Sequence, residues 1–397
     1  MTNVALVLSG GGARAAYQVG AMRAIAELHK CQANPFNILA GVSAGAINCV
    51  TLATMADDFT AGVRLLNETW MSLEPHLVYR TDPVTLGKLG ARWVKDATTG
   101  GLIGASKANY LLDTQPLREM LNARMHTERI PGHIASGTLR ALAISATNYA
   151  SGNIVTFFDG DPSLQEWVRH ARLSFREAIT VEHVMASAAI PIFFPPVSVN
   201  GRSYGDGGLR MTSPASPAIH LGADKLLAIG IRHKRDDDET LALNQEMSTL
   251  PVSAAQISGV LLNALFLDSL DDDIARLLRV NRTLGFVPED ARSKSPDMLR
   301  RIPALLLSPS QDLGRLAADE YDKFPRMLRH LLRGIGATGE SGWDLMSYLA
   351  FQPAYASKLI ELGYHDTLAR KDELREFFAA PADGVTKSEF TRSGTDP

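Results

Sequence analysis

The stretch Ile38-Leu39-Ala40-Gly41-Val42-Ser43-Ala44-Gly45 decides the fold. Ile38-Leu39-Ala40 is the right length and polarity for a short buried strand, and Ala44 to Met55 continues as a mostly apolar helix. The turn between them has the G-x-S-x-G form. Gly41 and Gly45 leave room for Ser43 to stand on a strained strand-to-helix corner. Ser43 then meets the helix N-terminus, whose partial positive charge favours an anion. Taken alone the motif is moderately specific, because a tight turn with an incidental serine reads the same way.

Working outward toward the N-terminus, the same grammar recurs. Val4-Ala5-Leu6-Val7-Leu8 is an apolar run that ends in Ser9-Gly10-Gly11-Gly12-Ala13-Arg14. Ala15 to Lys30 follows with Val19, Met22, Ile25 and Ala26 near helical spacing. Strand, glycine turn, helix, strand, turn, helix is βαβ logic. It predicts an α/β fold with a mostly parallel central sheet and helices on both faces. Leu139 to Ala146, Ile154 to Phe158 and Lys225 to Ile231 are further strand candidates. The backbone N–H groups of Gly10, Gly11, Gly12, Ala13 and Arg14 form a candidate oxyanion hole, and Ser43 is the matching nucleophile. Together they point to acyl transfer.

Working toward the C-terminus, Asn200-Gly201 is a strong two-residue hairpin signal between Pro196-Val197-Ser198-Val199 and Arg202-Ser203-Tyr204. The hairpin delivers Gly205-Asp206-Gly207-Gly208. An aspartate among glycines is ordinarily just a turn, but it changes meaning beside the other two motifs. The three in this order resemble the patatin-like phospholipases. That family's pattern is G-G-G-x-[R/K]-G, then G-x-S-x-G, then D-G-[G/A]. Gly10-Gly11-Gly12-Ala13-Arg14, Ser43 and Asp206-Gly207-Gly208 stand at the matching positions. Residues 186–196, Ala186-Ser187-Ala188-Ala189-Ile190-Pro191-Ile192-Phe193-Phe194-Pro195-Pro196, resemble the family's segment before the aspartate. The resemblance covers about residues 4–232. It departs from the pattern at Ala15, where the family has glycine, and helical geometry at that position would accommodate alanine.

The resemblance implies a three-layer α/β/α fold and a serine lipid acyl hydrolase. Its substrates are phospholipids or related acyl lipids, and its machinery is a Ser43–Asp206 dyad with no histidine, metal or cofactor. Ile190, Ile192, Phe193 and Phe194 are candidates for the acyl channel, with core packing the alternative for each. Arg14 would brace the loop or add positive potential, unless it is a surface arginine.

Two other readings compete. A Ser-His-Asp triad would recruit His220, His233 or His365, but Ser43 comes too early for the α/β-hydrolase order. A nucleotide-binding module would use Gly10-x-Gly12-x-x-Ala15. However, the second strand ends in Gly41-Val42-Ser43 and lacks the acidic ribose partner.

The remaining composition is that of a globular enzyme. The chain has 397 residues, 45% of them hydrophobic, a formal charge of −3 and two cysteines. It offers no basic patch for nucleic acid and no disulfide framework; Cys31 and Cys49 read as buried thiols. Met-Thr-Asn leads straight into the first strand without a signal peptide, and no apolar run is long enough to span a membrane. A cytoplasmic protein that meets lipid or micelles peripherally is expected.

The expected organisation is an acyl hydrolase domain over 1–285, a helical extension over 286–380 and a disordered tail over 381–397. Residues 57–135 form an insertion near the active site, with Gly100-Gly101-Leu102-Ile103-Gly104 at the lipid entrance. Leu261 to Leu284 reads as one amphipathic helix whose Asp268, Asp271, Asp272 and Asp273 form a solvated face rather than a metal site.

Overall fold

The computed structural model describes residues 2–29, 34–99, 109–169, 171–235, 237–245, 252–266, 268–293, 299–337 and 342–381. Among these, the strands are β1 Val4–Leu8, β2 Ile38–Val42, β3 Ala141–Asn148, β4 Ile154–Gly160, β5 Val168–Arg169, β6 Arg172–Arg176, β7 Val197–Val199, β8 Arg202–Asp206, β9 Lys225–Ile229 and β10 Ala304–Leu307. They form one sheet in the order β10-β9-β1-β2-β3-β4-β6-β5, with β8 pairing to β3 and β7 to β8. The run β10-β9-β1-β2-β3 is parallel throughout. β4 and β8 both join β3 antiparallel.

Alternate side chains of the central strands enter two different cores, as a period-two backbone requires. Leu6, Leu8, Leu39, Leu142 and Leu227 face helices α1 (Ala16–His29), α2 (Ala44–Ala53) and α3 (Phe59–Met71). Ala5, Val7, Ile38, Ala143 and Leu226 face the helices Ser216–His220 and Asp268–Gly285 on the other side. Both faces are therefore covered, giving the α/β/α sandwich. The near-continuous apolar strands reflect that double burial. Between β7 and β8, Asn200 and Gly201 both have positive φ (50° and 74°), the geometry expected of a tight hairpin turn.

Three readings change in the structure. The stretch 286–380 is not purely helical: residues 304–307 pair in register with β9, Ala304 with Leu226 through Leu307 with Ile229. An apolar run beside an open strand edge satisfies that edge's backbone groups. The predicted helix over 261–284 is two helices, Ala254–Phe266 and Asp268–Gly285. Phe266 belongs to one core and Leu270 and Ile274 to the other, which a single straight helix would not reach. Asp273 is buried rather than solvated, and its carboxylate accepts the Ala215 N–H at 3.0 Å.

The helix Pro353–Ala369 packs along α1, so the C-terminal third shares the main core. Cys49 is buried, and burial pushes its thiol pKa up. Cys31, residues 100–104 and the tail from 382 onward lie outside the described residues.

Candidate functional site

In parallel α/β sheets, ligands gather beyond the carboxyl ends of the strands. β1 and β2 are neighbours in register, Leu8 opposite Gly41, so the glycine loop and the Ser43 turn emerge side by side. A β-carbon added at Gly10 would lie 2.8 Å from Ser43 Cβ. Ser43 has φ 56° and ψ −128°, left-handed geometry unusual for a non-glycine residue. Its surroundings hold it there. The Ser43 N–H donates to Ser187 Oγ at 2.8 Å, and the Ser187 hydroxyl donates to the Ser145 carbonyl at 2.7 Å. At Gly45, a β-carbon would collide with the Leu8 and Ser9 carbonyls, so the turn can form only with glycine there.

Asp206 reaches the same place from the opposite direction. β8 runs antiparallel to β3, with Asp206 paired to Ala146, one residue past Ser145, which pairs with Val42. The Asp206 side chain is fully buried. Its Oδ1 accepts the Gly208 N–H at 2.8 Å, while Oδ2 has no hydrogen-bond partner. Burial pushes the carboxyl up to about 7, partly offset by the Ser43 hydroxyl and the Gly208 N–H, which both favour the charged form. Ser43 is therefore a close neighbour that acts on the carboxylate without completing a hydrogen bond of ordinary geometry to Oδ2. Tyr149 stacks its phenol over Gly205, and burial followed by the Asp206 charge raises its pKa.

The glycine loop opens a short 3-10 helix, Gly12–Ala15, which continues into α1. The first N–H groups of such a helix have no partner within it. Gly11 (φ 151°) and Gly12 (φ 57°) carry the unusual backbone geometry, and Ala15 sits inside the helical turn, so alanine is accommodated. Within the loop, Arg14 differs from its neighbours. Its N–H bonds the Gly11 carbonyl at 3.2 Å, and its guanidinium is 2% exposed and turned toward the C-terminal helix Trp343–Leu349. There it donates to Ser347 Oγ (2.7 Å), Asp344 Oδ1 (2.9 Å) and Asn263 Oδ1 (3.3 Å), and lies over the Tyr348 ring. It braces the loop and is not a surface arginine.

An apolar cavity of about 30 Å³ opens at Ser43 and Gly12. Of the four channel candidates, Ile190 and Phe194 line it. Ile192 is 60% exposed with φ 68°, and Phe193 packs into the core beside it, so neither lines the cavity. The left-handed backbone at Ile192 turns that side chain outward.

Other walls come from residues the sequence did not single out for this role, namely Trp70, Leu117, Met120 and Phe351. Thus α3 and the helix Gln115–Arg124, both within 57–135, do reach the site. Trp70 is fixed by a buried chain: its Nε1–H donates to Asn48 Oδ1 (2.9 Å), Asn48 Nδ2 to Gln18 Oε1 (2.9 Å), and Gln18 Nε2 to the Ser9 carbonyl (2.9 Å). Paired polar residues inside apolar helices were the available signal.

The three candidate histidines have partners elsewhere. His220 stacks on Trp167, and His233 contacts the Pro309 carbonyl and Glu239. His365 is exposed beside Glu361.

Residues 6–219, more than half of the chain, match the model of a family described as Patatin-like phospholipase. The chain belongs to that family. As a patatin-like phospholipase it is a lipid acyl hydrolase that acts on carboxylic ester bonds. None of the curated proteins matches it.

Similar solved structures include VipD from Legionella pneumophila, at 12% identity over 94% of this chain and 67% of that one, with TM-score 0.36. Human GIVD cytosolic phospholipase A2, in complex with methyl gamma-linolenyl fluorophosphonate, is 12% identical over 95% of this chain, with TM-score 0.41. This chain covers 59% of the human protein. ExoU of Pseudomonas aeruginosa, in complex with SpcU, is 13% identical over 87% of this chain and 70% of that one, with TM-score 0.25. No described helix is long and apolar enough to cross a membrane.

Proposed function

We propose that this patatin-like phospholipase cleaves acyl esters through a Ser43–Asp206 dyad and a covalent acyl-enzyme. The observation that carries the reading is the buried Asp206 carboxylate beside Ser43, with one oxygen lacking a partner. An unsatisfied buried acceptor is costly unless it serves a purpose, and a proton from Ser43 would satisfy it.

Asp206 accepts the Ser43 proton while Ser43 Oγ attacks the ester carbonyl carbon. The tetrahedral oxyanion meets N–H groups of the Gly10–Ala13 loop. Collapse expels the alcohol, which takes the proton from Asp206 and leaves the acyl group on Ser43. Water then repeats the sequence, releasing the fatty acid. A base with its pKa near 7 suits this double duty of taking and returning a proton. The apolar cavity walled by Ile190, Phe194 and Trp70 has room at about 30 Å³ only for the first carbons of an acyl chain and would have to widen to receive the rest, while Arg14 holds the loop in place. The engagement of His220, His233 and His365 elsewhere argues for two residues over three. A phospholipid or related acyl lipid at a membrane or micelle surface is the substrate we propose.

A fluorophosphonate probe should label Ser43 stoichiometrically. Ser43→Ala should abolish labelling and lower ester hydrolysis by roughly 10⁴-fold or more. Asp206→Asn should cost roughly 10²–10⁴-fold, the usual contribution of a general base. Wild-type kcat/KM should rise with pH through about 7, the value to which Asp206 is pushed. Wild-type rates in either variant would overturn the dyad.

The same shift acts on stability. A carboxyl raised from 3.8 to about 7 binds its proton more tightly when folded, so stability falls as pH rises through that window. Asp206→Asn should therefore be more stable than wild type at pH 8, by on the order of 4 kcal/mol of unfolding free energy at 1.36 kcal/mol per unit. The gain should vanish near pH 4.

A further inference from the structure

The helix Ala254–Phe266 reads Ala-Ala-Gln-Ile-Ser-Gly-Val-Leu-Leu-Asn-Ala-Leu-Phe and contains no charged residue. Ala255, Gly259, Leu262 and Phe266 form its buried face. Phe266 is the end that touches the site: a β-carbon at Gly208 would strike its ring, and one at Gly10 would lie 3.5 Å from it. The opposite face presents Ile257, Val260 and Leu261 to solvent, with Val252 just before the helix. A charge-free helix whose outer face is this apolar is unusual on a protein surface, where large contiguous apolar patches mark interaction sites.

A second observation says what the face meets. The Ala255 N–H donates to the Ile335 carbonyl at 2.9 Å, which joins the start of this helix to the end of the helix Arg326–Gly334. Ile335 is itself partly exposed and extends the apolar patch. The helix Arg326–Gly334 carries Arg326, Arg329, His330 and Arg333 against a buried Leu328 and Leu332. Arg326, His330 and Arg333 are exposed, and Arg329 pairs with Asp322. An apolar helix face beside a cationic amphipathic helix is the composition of a membrane-surface element. A second copy of the chain would suit the patch less well, because a two-fold contact would bring these same cations toward one another. The patch also lies in line with the site. Residues 257–261 are five to nine positions from Phe266, roughly 8–14 Å along the helix at 1.5 Å per residue.

We propose that the outer face of Ala254–Phe266, flanked by Arg326 and Arg333, docks on an anionic lipid bilayer and holds the Ser43 site against it. This rests on the reading of the chain as an acyl hydrolase of lipid surfaces. It adds the surface that engages them and the charge it selects. Each arginine near an anionic surface contributes roughly a five-fold gain in partitioning, so the preference should weaken as salt is added.

The test is vesicle co-sedimentation of the full chain in a Ser43→Ala background, where hydrolysis does not consume the vesicles. The vesicles are phosphatidylcholine alone or phosphatidylcholine with 30 mol% phosphatidylglycerol. The protein should favour the anionic vesicles. Ile257→Asp with Val260→Asp should lower partitioning at least tenfold on both compositions, with a melting temperature close to that of its parent. Arg326→Glu with Arg333→Glu should erase the anionic preference only. Unchanged partitioning in either pair overturns the proposal. So does a wild-type dimer that the aspartate pair dissociates without any vesicle binding, which would assign the face to a second copy. Partitioning is read without turnover, so failure of the Ser43 assignment would appear separately, as ester hydrolysis that survives Ser43→Ala.

Discussion

The two turns that begin this chain look alike in sequence and are held in opposite ways. Both follow a parallel strand and open a helix, and they lie side by side beyond the carboxyl ends of two central strands. The Ser43 turn puts its unusual φ on a serine and is secured by Ser187, at the end of the helix Val181–Ser187, and through it by Ser145 on β3. The Gly10–Arg14 loop puts its unusual φ on glycines and is secured from far away, through Arg14 to Asp344 and Ser347. A turn that strains a non-glycine residue needs rigid neighbours at once. A loop of glycines has little stiffness of its own and must borrow it.

That contrast can be broken most sharply at Gly12, where a β-carbon would run into the Tyr348 carbonyl and φ is 57°. Gly12→Ala should lower kcat by roughly 10²–10³-fold, as loss of an oxyanion donor does, with KM for a short soluble ester nearly unchanged. A variant that keeps full kcat would show that the loop has no part in the oxyanion site.

The borrowed stiffness is next. Asp344→Ala leaves the buried Arg14 charge short of its carboxylate and should cost about 3 kcal/mol in denaturant unfolding. Arg14→Met removes the charge together with the need for a partner and should cost less. The reverse ranking would mean that Arg14 matters as a bulky side chain and not as an ion.

The smallest effect should come from the Ser43 turn. Ser187→Ala removes one buried acceptor for the Ser43 N–H and should cost about 1–3 kcal/mol, at the cost of an unsatisfied donor. Its slowing of probe labelling should be smaller than that of Gly12→Ala. A larger slowing would make Ser187, and not the strand-helix corner, the main support of Ser43.

Local grammar made the parallel sheet, both turns and the Asn200-Gly201 hairpin legible, because each depends on residues a few positions apart. The pairing of Asp206 with Ser43 was legible only through the family pattern, since no spacing rule links positions 43 and 206. Arg14 exposes the limit: its motif was plain, but its partners lie some 330 positions away and obey no periodicity. β10 was hidden in the same manner, as four apolar residues in a helical context become a strand only because β9 has an open edge. At Ile190, Ile192, Phe193 and Phe194 composition pointed to an apolar wall. It could not say which side chains face it, and the left-handed φ at Ile192 sorts them.

The reach of Arg14 also sets a timetable. Asp344 and Ser347 are synthesised about 330 residues after the loop they hold, roughly 17–66 s later at ordinary elongation rates. Until then the loop has no clasp, and under the proposed dyad a nascent chain that already carries Ser43 and Asp206 would stay inactive. Stalled chains that end before Asp344 should not react with a fluorophosphonate, whereas chains that extend past Ala369, with the helix on α1 complete, should.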